Sequence, residues 1–424
     1  MSDESEPQEW VLLASIPFED LKREDLEECV YWLLDAMGAK ELEWRKGGTG
    51  MGAADGGRDL AASFYVPDAD GEMTSQKWWI DCAGRSGTVE ADKVKTAVTN
   101  AQAYDLDFMV IATNTQFSNP TRDWIEKWQE KYPKPIIHLW DHAHLERFLS
   151  RHPDVVLRLF SEALSLQGRF QAMEIRFWNR LEYVHSKSLD DIWRGRPDVE
   201  LSGMGLFAAI ANEFASGNIT HRPWAAALST DSLIDVLEIG LLNVPYLSMR
   251  FVRTGSDQKP LFRTFAYLIL IALDRLSAET VNDLVLNAIN RDEKDRFPEY
   301  VQEFLLMPIV DQLLSEMQDV CTADYERIHE TDRRTLTEEN DEIDYYWQRL
   351  QPDGVDEPTD QAILRLERGD APCKVGFPVD RDNGCPLFAF EPSVTNTNAF
   401  FQIIKRVAQY RKTQAAVNKG SNAG

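Results

Sequence analysis

The chain has 424 residues, of which 43% are hydrophobic and 27% charged, a composition typical of a folded globular protein with two or three domains. Its 45 basic and 70 acidic residues give a net charge of −25, and residues 1–150 alone carry 15 basic and 28 acidic residues, or −13. Acid is therefore spread along the chain, and it opposes unaided binding to nucleic acid or to anionic membranes. The five cysteines form no Cys-x-x-Cys pair, which argues against a disulfide scaffold and a zinc site of that type.

Neither a secretory signal nor a membrane span is predicted. Residues 1–9 are polar and acidic, and the longest apolar run, 265–273, is about half as long as the roughly 20 residues that a span requires. We therefore expect a cytoplasmic protein that does not associate with membranes.

The first 160 residues alternate between helical and strand patterns, which predicts an α/β domain with a mixed central sheet flanked by helices. Apolar residues recur at helical spacing over 23–37, and Gly38 follows as a stop signal. A glycine-rich stretch, 47–57, comes next. The remaining elements of this domain are predicted as strands at 60–66, 77–82, 108–113 and 136–140 and as helices at 89–104, 120–131 and 142–148.

The rest of the chain is mainly helical in pattern. In the module that precedes the C-terminal tail, strands at 374–379 and 387–390 are expected to flank the turn Asn383-Gly384, with a helix at 398–410 after them. The predicted domains are an N-terminal extension (1–17), the α/β domain (18–152), a helical regulatory or oligomerisation domain (153–350), a linker (351–361), a small α+β module (362–412) and a disordered tail (413–424).

Two carboxylates, Asp59 and Asp81, fall at the same end of a predicted hairpin. If the hairpin is centred between residues 66 and 77, paired residue numbers sum to about 143, which places Asp59 opposite Gly84 and near Asp81. Clustered carboxylates repel one another, and a divalent cation offsets that repulsion. Oxygen ligands of this kind suit Mg²⁺ or Mn²⁺, and such a centre is equipped to hydrolyse phosphodiesters.

These segments together resemble a known family. The residues that carry the resemblance are 26–30 with the helix end at Met37-Gly38, the block Asp55-Gly56-Gly57-Arg58-Asp59-Leu60, the run Ile80-Asp81-Cys82-Ala83, and the strands at 108–113 and 136–141. They look like the Mrr-type restriction endonuclease domain of the PD-(D/E)xK nuclease superfamily, over about residues 18–150. The resemblance implies a DNA endonuclease in which Asp59 and Asp81 bind Mg²⁺ or Mn²⁺, Glu27 completes the metal site, and double-stranded DNA is the substrate.

One position departs from the family pattern, because Ala83 stands where the family has a catalytic lysine. That lysine orients or deprotonates the attacking water and offsets developing negative charge, so the chain as written is expected to be inactive. Three explanations stay open: a deliberate Lys→Ala change that traps an intact complex, a natural pseudo-nuclease, or transfer of the lysine role to Lys93 or Lys95.

Basic residues near the predicted site are candidates for binding DNA phosphates, although a solvated surface role is an equal alternative for them. The candidates are Arg58, Arg85, Lys93 and Lys95, with Arg45 and Lys46 beside them. His138, His142 and His144 do not form a metal site by spacing, since His138 falls in a strand and the other two cannot share a helix face. We expect surface histidines.

A nuclease domain joined to a helical body is similar to effectors of prokaryotic anti-phage defence, including the nuclease subunit of Lamassu-type systems. That analogy implies regulatory protein subunits as partners. A homo-oligomer is expected if both DNA strands are cut, since one site normally cuts one strand. The alternative from another class is a catalytically dead adaptor that binds nucleic acid or protein, and an RNA nuclease also stays open.

Overall fold

The computed structural model describes residues 12, 14–44, 59–84, 87–290, 296–317, 320, 375–377 and 385–421. The chain divides into two compact units, Met1–Ala209 and Ile210–Gly424, which we describe separately. Elements of the first unit are helices α1 (Arg23–Ala36), α2 (Ala91–Ala101), α3 (Asn119–Lys131), α4 (His142–Leu149), α5 (Pro153–Leu159), α6 (Leu166–Ile175) and α7 (Ser186–Gly195), and strands β1 (Lys40–Trp44), β2 (Leu60–Pro67), β3 (Met73–Cys82), β4 (Phe108–Ala112) and β5 (Ile136–Trp140).

A mixed five-stranded sheet forms the centre of this unit, with the strands in the order β1-β2-β3-β4-β5. Strands β1, β2 and β3 are antiparallel neighbours, whereas β3, β4 and β5 run parallel. The parallel strands are joined through α2 and α3, because a parallel connection must cross back over the sheet. This architecture confirms the predicted α/β fold class, and β1 is the strand that the sequence pattern did not predict.

The hairpin register differs from the expected one. Strand β2 pairs with β3 through Leu60↔Ile80 to Pro67↔Met73, so paired numbers sum to 140 rather than about 143. The expected pairing of Asp59 with Gly84 is therefore wrong. The turn is tighter than assumed, since Asp68 donates its N–H to the carbonyl of Glu72 and both strands extend further into the loop.

Each face of the sheet is covered by helices. Helix α1 packs on one face with the fully buried side chains Leu26, Cys29, Val30, Leu33 and Leu34, which lie three or four residues apart as an amphipathic helix requires. On the other face, the core contains Trp79, Val94, Val98, Met109, Ile111, Ile125, Trp128 and Ile137. Strand β3 is therefore held between helix α1 on one face and the core around Trp79 on the other.

The neighbouring tryptophans of β3 point to opposite faces, as strand alternation predicts. Trp79 is buried in the α2–α3 core, and Trp78 stacks on Phe108 with ring centroids 4.7 Å apart. His138 joins this stack, 5.6 Å from Phe108 and 6.0 Å from Trp78. His138 is therefore half-buried, which corrects the expectation of a surface position.

The end of α1 depends on a glycine. Gly38 has a φ of +93°, a left-handed conformation that side chains with a Cβ adopt only with strain, and it allows the chain to turn into β1. The predicted stop signal at Gly38 is confirmed.

Arginines of the helices that follow the sheet clamp the other end of α1. Arg180 forms ion pairs with both Asp35 of α1 and Asp154 of α5. The guanidinium carbon of Arg158 lies 3.7 Å from the ring centroid of Trp32, a cation–π contact. Residues 153–209 therefore pack as part of the first compact unit, while the predicted domain boundary at 152/153 stays a prediction.

The second unit is helical. Its elements are the end of α8 (Gly203–Ser216), whose middle contains the boundary between the units, and α9 (Thr230–Leu242), α10 (Val244–Thr254), α11 (Lys259–Arg275), α12 (Ala278–Asn290), α13 (Glu299–Met317), α14 (Pro386–Ala389) and α15 (Thr397–Ser421). Within the described ranges no single helix is long and apolar enough to cross a membrane, although α9 and α10, bent by 52°, meet that test as a pair.

Two expectations for the C-terminal region are wrong. Residues 387–390 were predicted as a strand, but Pro386–Ala389 is a short helix, because Pro386 at its first turn favours helix initiation. Helix α15 continues to Ser421, so residues 413–421 are helical rather than disordered. The predicted strand at 374–379 and the turn Asn383-Gly384 lie largely or wholly outside the described residues.

Candidate active site

The end of β3 and the start of α1 approach each other at a glycine. A Cβ placed on Gly84 would lie 2.8 Å from the Cα of Arg23, closer than side-chain carbons ever come to backbone. Only glycine allows this approach. It brings Ala83, where the resemblance predicts a lysine, next to the first turn of α1.

Asp59 is a buried carboxylate at the start of β2. Its Oδ2 accepts a hydrogen bond of 2.7 Å from the backbone N–H of Cys82, and its Oδ1 accepts one of 2.5 Å from Nη2 of Arg23. The Asp59 N–H in turn donates to the carbonyl of Ile80. Asp59 is thereby fixed beside the segment that carries Asp81.

Glu27 of α1 shares the same arginine. Its Oε1 accepts a hydrogen bond of 3.0 Å from Nε of Arg23, and its Oε2 accepts one of 3.1 Å from the indole of Trp44. Burial lowers the pKa of Arg23, but the hydrogen bonds and charges of Asp59 and Glu27 outweigh this and raise that pKa above its ordinary value. Arg23 therefore joins two of the predicted metal ligands.

Asp81 and Ala83 line a cleft of about 930 Å³ at the carboxyl end of β3. Lys93, at the start of α2, lines the same cleft together with Arg23. The N-terminal end of an α-helix carries partial positive charge, so this wall of the cleft favours anionic ligands. Positive and negative groups thus line the same cleft, which is open to solvent.

The structure separates the two lysines that were candidates for the missing role. Lys93 lies in the cleft, whereas Lys95 forms an exposed ion pair of 3.0 Å with Asp92 and does not line the cleft. Residues two apart on a helix point to different sides, which explains the difference. The other predicted phosphate contacts, Arg58 and Arg85, lie outside the described residues.

The three histidines are placed by contacts other than a metal. His144 Nδ1 lies 2.7 Å from Oδ1 of Asp141, and His142 Nδ1 lies 3.1 Å from the carbonyl oxygen of Thr115. His138 belongs to the aromatic stack described above.

The three predicted metal ligands, Asp59, Asp81 and Glu27, all act electrostatically on the thiol of Cys82. Burial, followed by the charges of Asp59, Asp81 and Glu27, raises the pKa of the Cys82 thiol well above its ordinary value. Within the ranges that the structure describes, however, no group of three or more His, Cys, Asp or Glu side chains is arranged to hold a metal ion. The donor type suits a hard divalent cation, because carboxylate oxygens are its preferred ligands. One oxygen each of Asp59 and Glu27 is already paired with the guanidinium of Arg23.

Arg23 is a residue of this site that sequence reasoning missed. Its spacing of four residues from Glu27 on a helix is a signal for an ion pair and could have indicated it. Trp44 was also missed, because strand β1 was not predicted.

Residues 18–149 match the sequence model of the family Mrr_cat, described as restriction endonuclease. Two solved structures show local similarity. The MspJI restriction endonuclease in complex with a 27-mer oligonucleotide is 17% identical, with a TM-score of 0.25 over 34% of this chain and 30% of that chain. The DNA modification-dependent restriction endonuclease AspBHI is 15% identical, with a TM-score of 0.23 over 33% of this chain and 36% of that chain.

The chain thus spans about a third of the length of these two enzymes. A search of curated proteins gave no match. The family match covers the whole sheet, helix α1 and the cleft, and it agrees with the resemblance seen in the sequence. Residues 18–149 therefore match the restriction endonuclease family Mrr_cat, and their fold is restriction-endonuclease-like.

Proposed function

We propose that this domain is a divalent-metal-dependent endonuclease that hydrolyses phosphodiester bonds in double-stranded DNA, and that Ala83 leaves the chain inactive. The observation that carries the proposal is the placement of Asp81 and Ala83 in one cleft, within the part of the chain that matches the restriction endonuclease family. Asp59 accepts a hydrogen bond from the backbone N–H of Cys82, which follows Asp81 in strand β3.

In the active form, Asp59 and Asp81 would hold Mg²⁺ or Mn²⁺ with Glu27. The bound metal supplies a water of lowered pKa and charge neutralisation at the scissile phosphate. A lysine at position 83 would orient that water and offset charge as it develops on the phosphate oxygens. Lys93 and the start of α2 would hold a DNA phosphate in the cleft by charge.

The test restores the family pattern with Ala83→Lys. Ala83 lines an open cleft, so the longer side chain has room. The unmodified chain, Ala83→Lys and the double variant Ala83→Lys/Asp81→Asn are incubated with duplex DNA, single-stranded DNA and RNA, each with Mg²⁺ or Mn²⁺. We expect metal-dependent duplex cleavage by Ala83→Lys alone, and a folded but silent Ala83→Lys protein would contradict the proposal.

The same assay examines the transfer of the lysine role. If Lys93 replaces the missing lysine, the unmodified chain cuts DNA, Lys93→Gln abolishes cleavage and Lys95→Gln does not. The pair is matched, because the two lysines lie on the same helix and only Lys93 lines the cleft. Cleavage that both variants retain would exclude this route.

A catalytically dead adaptor is the second candidate, and Ala83 is the observation that favours it. An adaptor would bind DNA or a protein through the nuclease fold without cleaving it. Ala83→Lys would then leave DNA intact while DNA binding, measured by fluorescence anisotropy at fixed salt, stays unchanged. The assays above therefore separate the two functions.

We further propose an effector role in prokaryotic anti-phage or anti-plasmid defence, with recruitment by regulatory subunits and a homo-oligomer that cuts both strands. The net charge of −25 supports recruitment, because such a protein binds DNA weakly by itself. Mass photometry tests the oligomer, and affinity capture from the native host tests the partners. A monomer under all conditions, with no captured subunit, would refute this part.

A further inference from the structure

A single exposed arginine, Arg23, forms ion pairs with both Asp59 and Glu27. Their side chains are only 8% and 10% exposed, whereas that of Arg23 is 62% exposed. The guanidinium therefore lies on the solvent side of two nearly buried carboxylates. A cation that enters from the cleft reaches Arg23 before it reaches the carboxylates.

Each carboxylate divides its oxygens in the same way. Oδ2 of Asp59 and Oε2 of Glu27 accept from neutral donors, the backbone N–H of Cys82 and the indole of Trp44. Oδ1 of Asp59 and Oε1 of Glu27 both accept from Arg23. The neutral donors fix the carboxylates from the protein side, and the two remaining oxygens converge on a single cation.

We propose that Arg23 is the resident counter-cation of this site: it neutralises Asp59 and Glu27 when no metal is bound, and a divalent cation binds only by displacing its guanidinium. The inference rests on the proposed function, because it takes these two carboxylates to be metal ligands. It adds that Arg23 limits how strongly the site binds a metal, which the family match does not imply.

The physical basis is competition between two cations for one pair of oxygens. Without Arg23, the two carboxylates would repel each other in a poorly solvated place and would attract a divalent cation more strongly. With Arg23 in place, its guanidinium already neutralises part of the carboxylate charge, so the site attracts a divalent cation less strongly. The displaced guanidinium stays in the cleft beside Ala83 and Asp81, because the close approach at Gly84 anchors the backbone of Arg23 there.

The experiment is calorimetric titration of Mn²⁺ into the full chain, Arg23→Gln and the control Arg122→Gln. Arg122 is matched to Arg23, because it also pairs with a carboxylate that is 8% exposed, that of Asp141, at 2.6 Å. We expect Arg23→Gln to bind Mn²⁺ at least about tenfold more tightly than the unmodified chain, while Arg122→Gln binds as the unmodified chain does. Mn²⁺ should also raise the Tm of Arg23→Gln more than that of the unmodified chain.

Equal or weaker Mn²⁺ binding by Arg23→Gln would overturn the inference, and weaker binding would mean that Arg23 positions the carboxylates instead. If Arg23→Gln does not fold by circular dichroism, Arg23→Lys takes its place. Lysine offers a single ammonium for two carboxylates, so tighter Mn²⁺ binding is again expected and equal binding overturns the inference. If no variant binds Mn²⁺ and the Ala83→Lys protein does not cleave DNA, the proposed function itself is refuted. If Arg23→Gln and the unmodified chain bind Mn²⁺ equally and the Ala83→Lys protein cleaves DNA, only the role of Arg23 is refuted.

Discussion

A buried ion pair in the second unit allows a quantitative prediction about stability. The Glu213 side chain is fully buried and accepts four hydrogen bonds: two from Arg222 (2.6 and 2.9 Å), one from the indole of Trp224 (3.1 Å) and one from the N–H of Asn218 (2.7 Å). The Arg222 side chain is only 10% exposed. Glu213→Gln keeps the shape but leaves the Arg222 charge without this carboxylate.

Removal of one partner from a buried pair costs about 3–5 kcal/mol of unfolding free energy. The control is Asp274→Asn, which breaks an exposed pair of 2.5 Å with Lys412 in the same unit and should cost about 0–1 kcal/mol. The double variant Glu213→Gln/Arg222→Met removes both charges and keeps a side-chain acceptor for Trp224 and Asn218, so it should regain part of the loss.

The assay is hydrogen exchange of the full chain at increasing urea, followed by mass spectrometry on peptides from 210–290. Peptide resolution matters because a chain with two compact units need not unfold in one step, so a single melting curve would mix them. A cost below about 1 kcal/mol for Glu213→Gln, equal to that of Asp274→Asn, would refute the reasoning that this pair is desolvated.

Two further predictions concern titratable groups. Burial lowers the pKa of His138, so the unfolded chain takes up a proton more readily, and stability should fall as the pH drops below about 6.5. His138→Phe should flatten that part of the pH profile in urea titrations at pH 5.5–7.5, and an unchanged slope would contradict it. Burial, followed by the charge of Glu28, raises the pKa of Cys29 to about 12, and Cys82 is also raised. Because the thiolate is the reactive form, iodoacetamide at pH 8 should modify half-exposed Cys385 before Cys29 or Cys82, as read by peptide mass spectrometry; equal native rates would count against it.

Local sequence patterns determined most of the first unit. The spacing of apolar residues located α1, and Gly38 marked its end. Apolar runs located β2 to β5 within a few residues. These predictions succeed because the spacing of apolar residues along an element reflects the face that it buries. The family resemblance over residues 18–150 followed from the same short segments and is confirmed over 18–149. In the C-terminal region the local signals were weaker, and Pro386 opened a helix where a strand was expected.

Tertiary structure decided how the site is assembled. The β2–β3 register depends on a turn whose length the pattern alone does not fix, and a shift of three positions moved Asp59 from Gly84 toward Asp81 and Cys82. The sequence left both Lys93 and Lys95 as candidates for the lysine role, and only the packing of α2 showed which of them lines the cleft. The bridge from Arg23 to Asp59 joins residues 36 positions apart, and such contacts are set by how helix and sheet meet in space rather than by any local spacing.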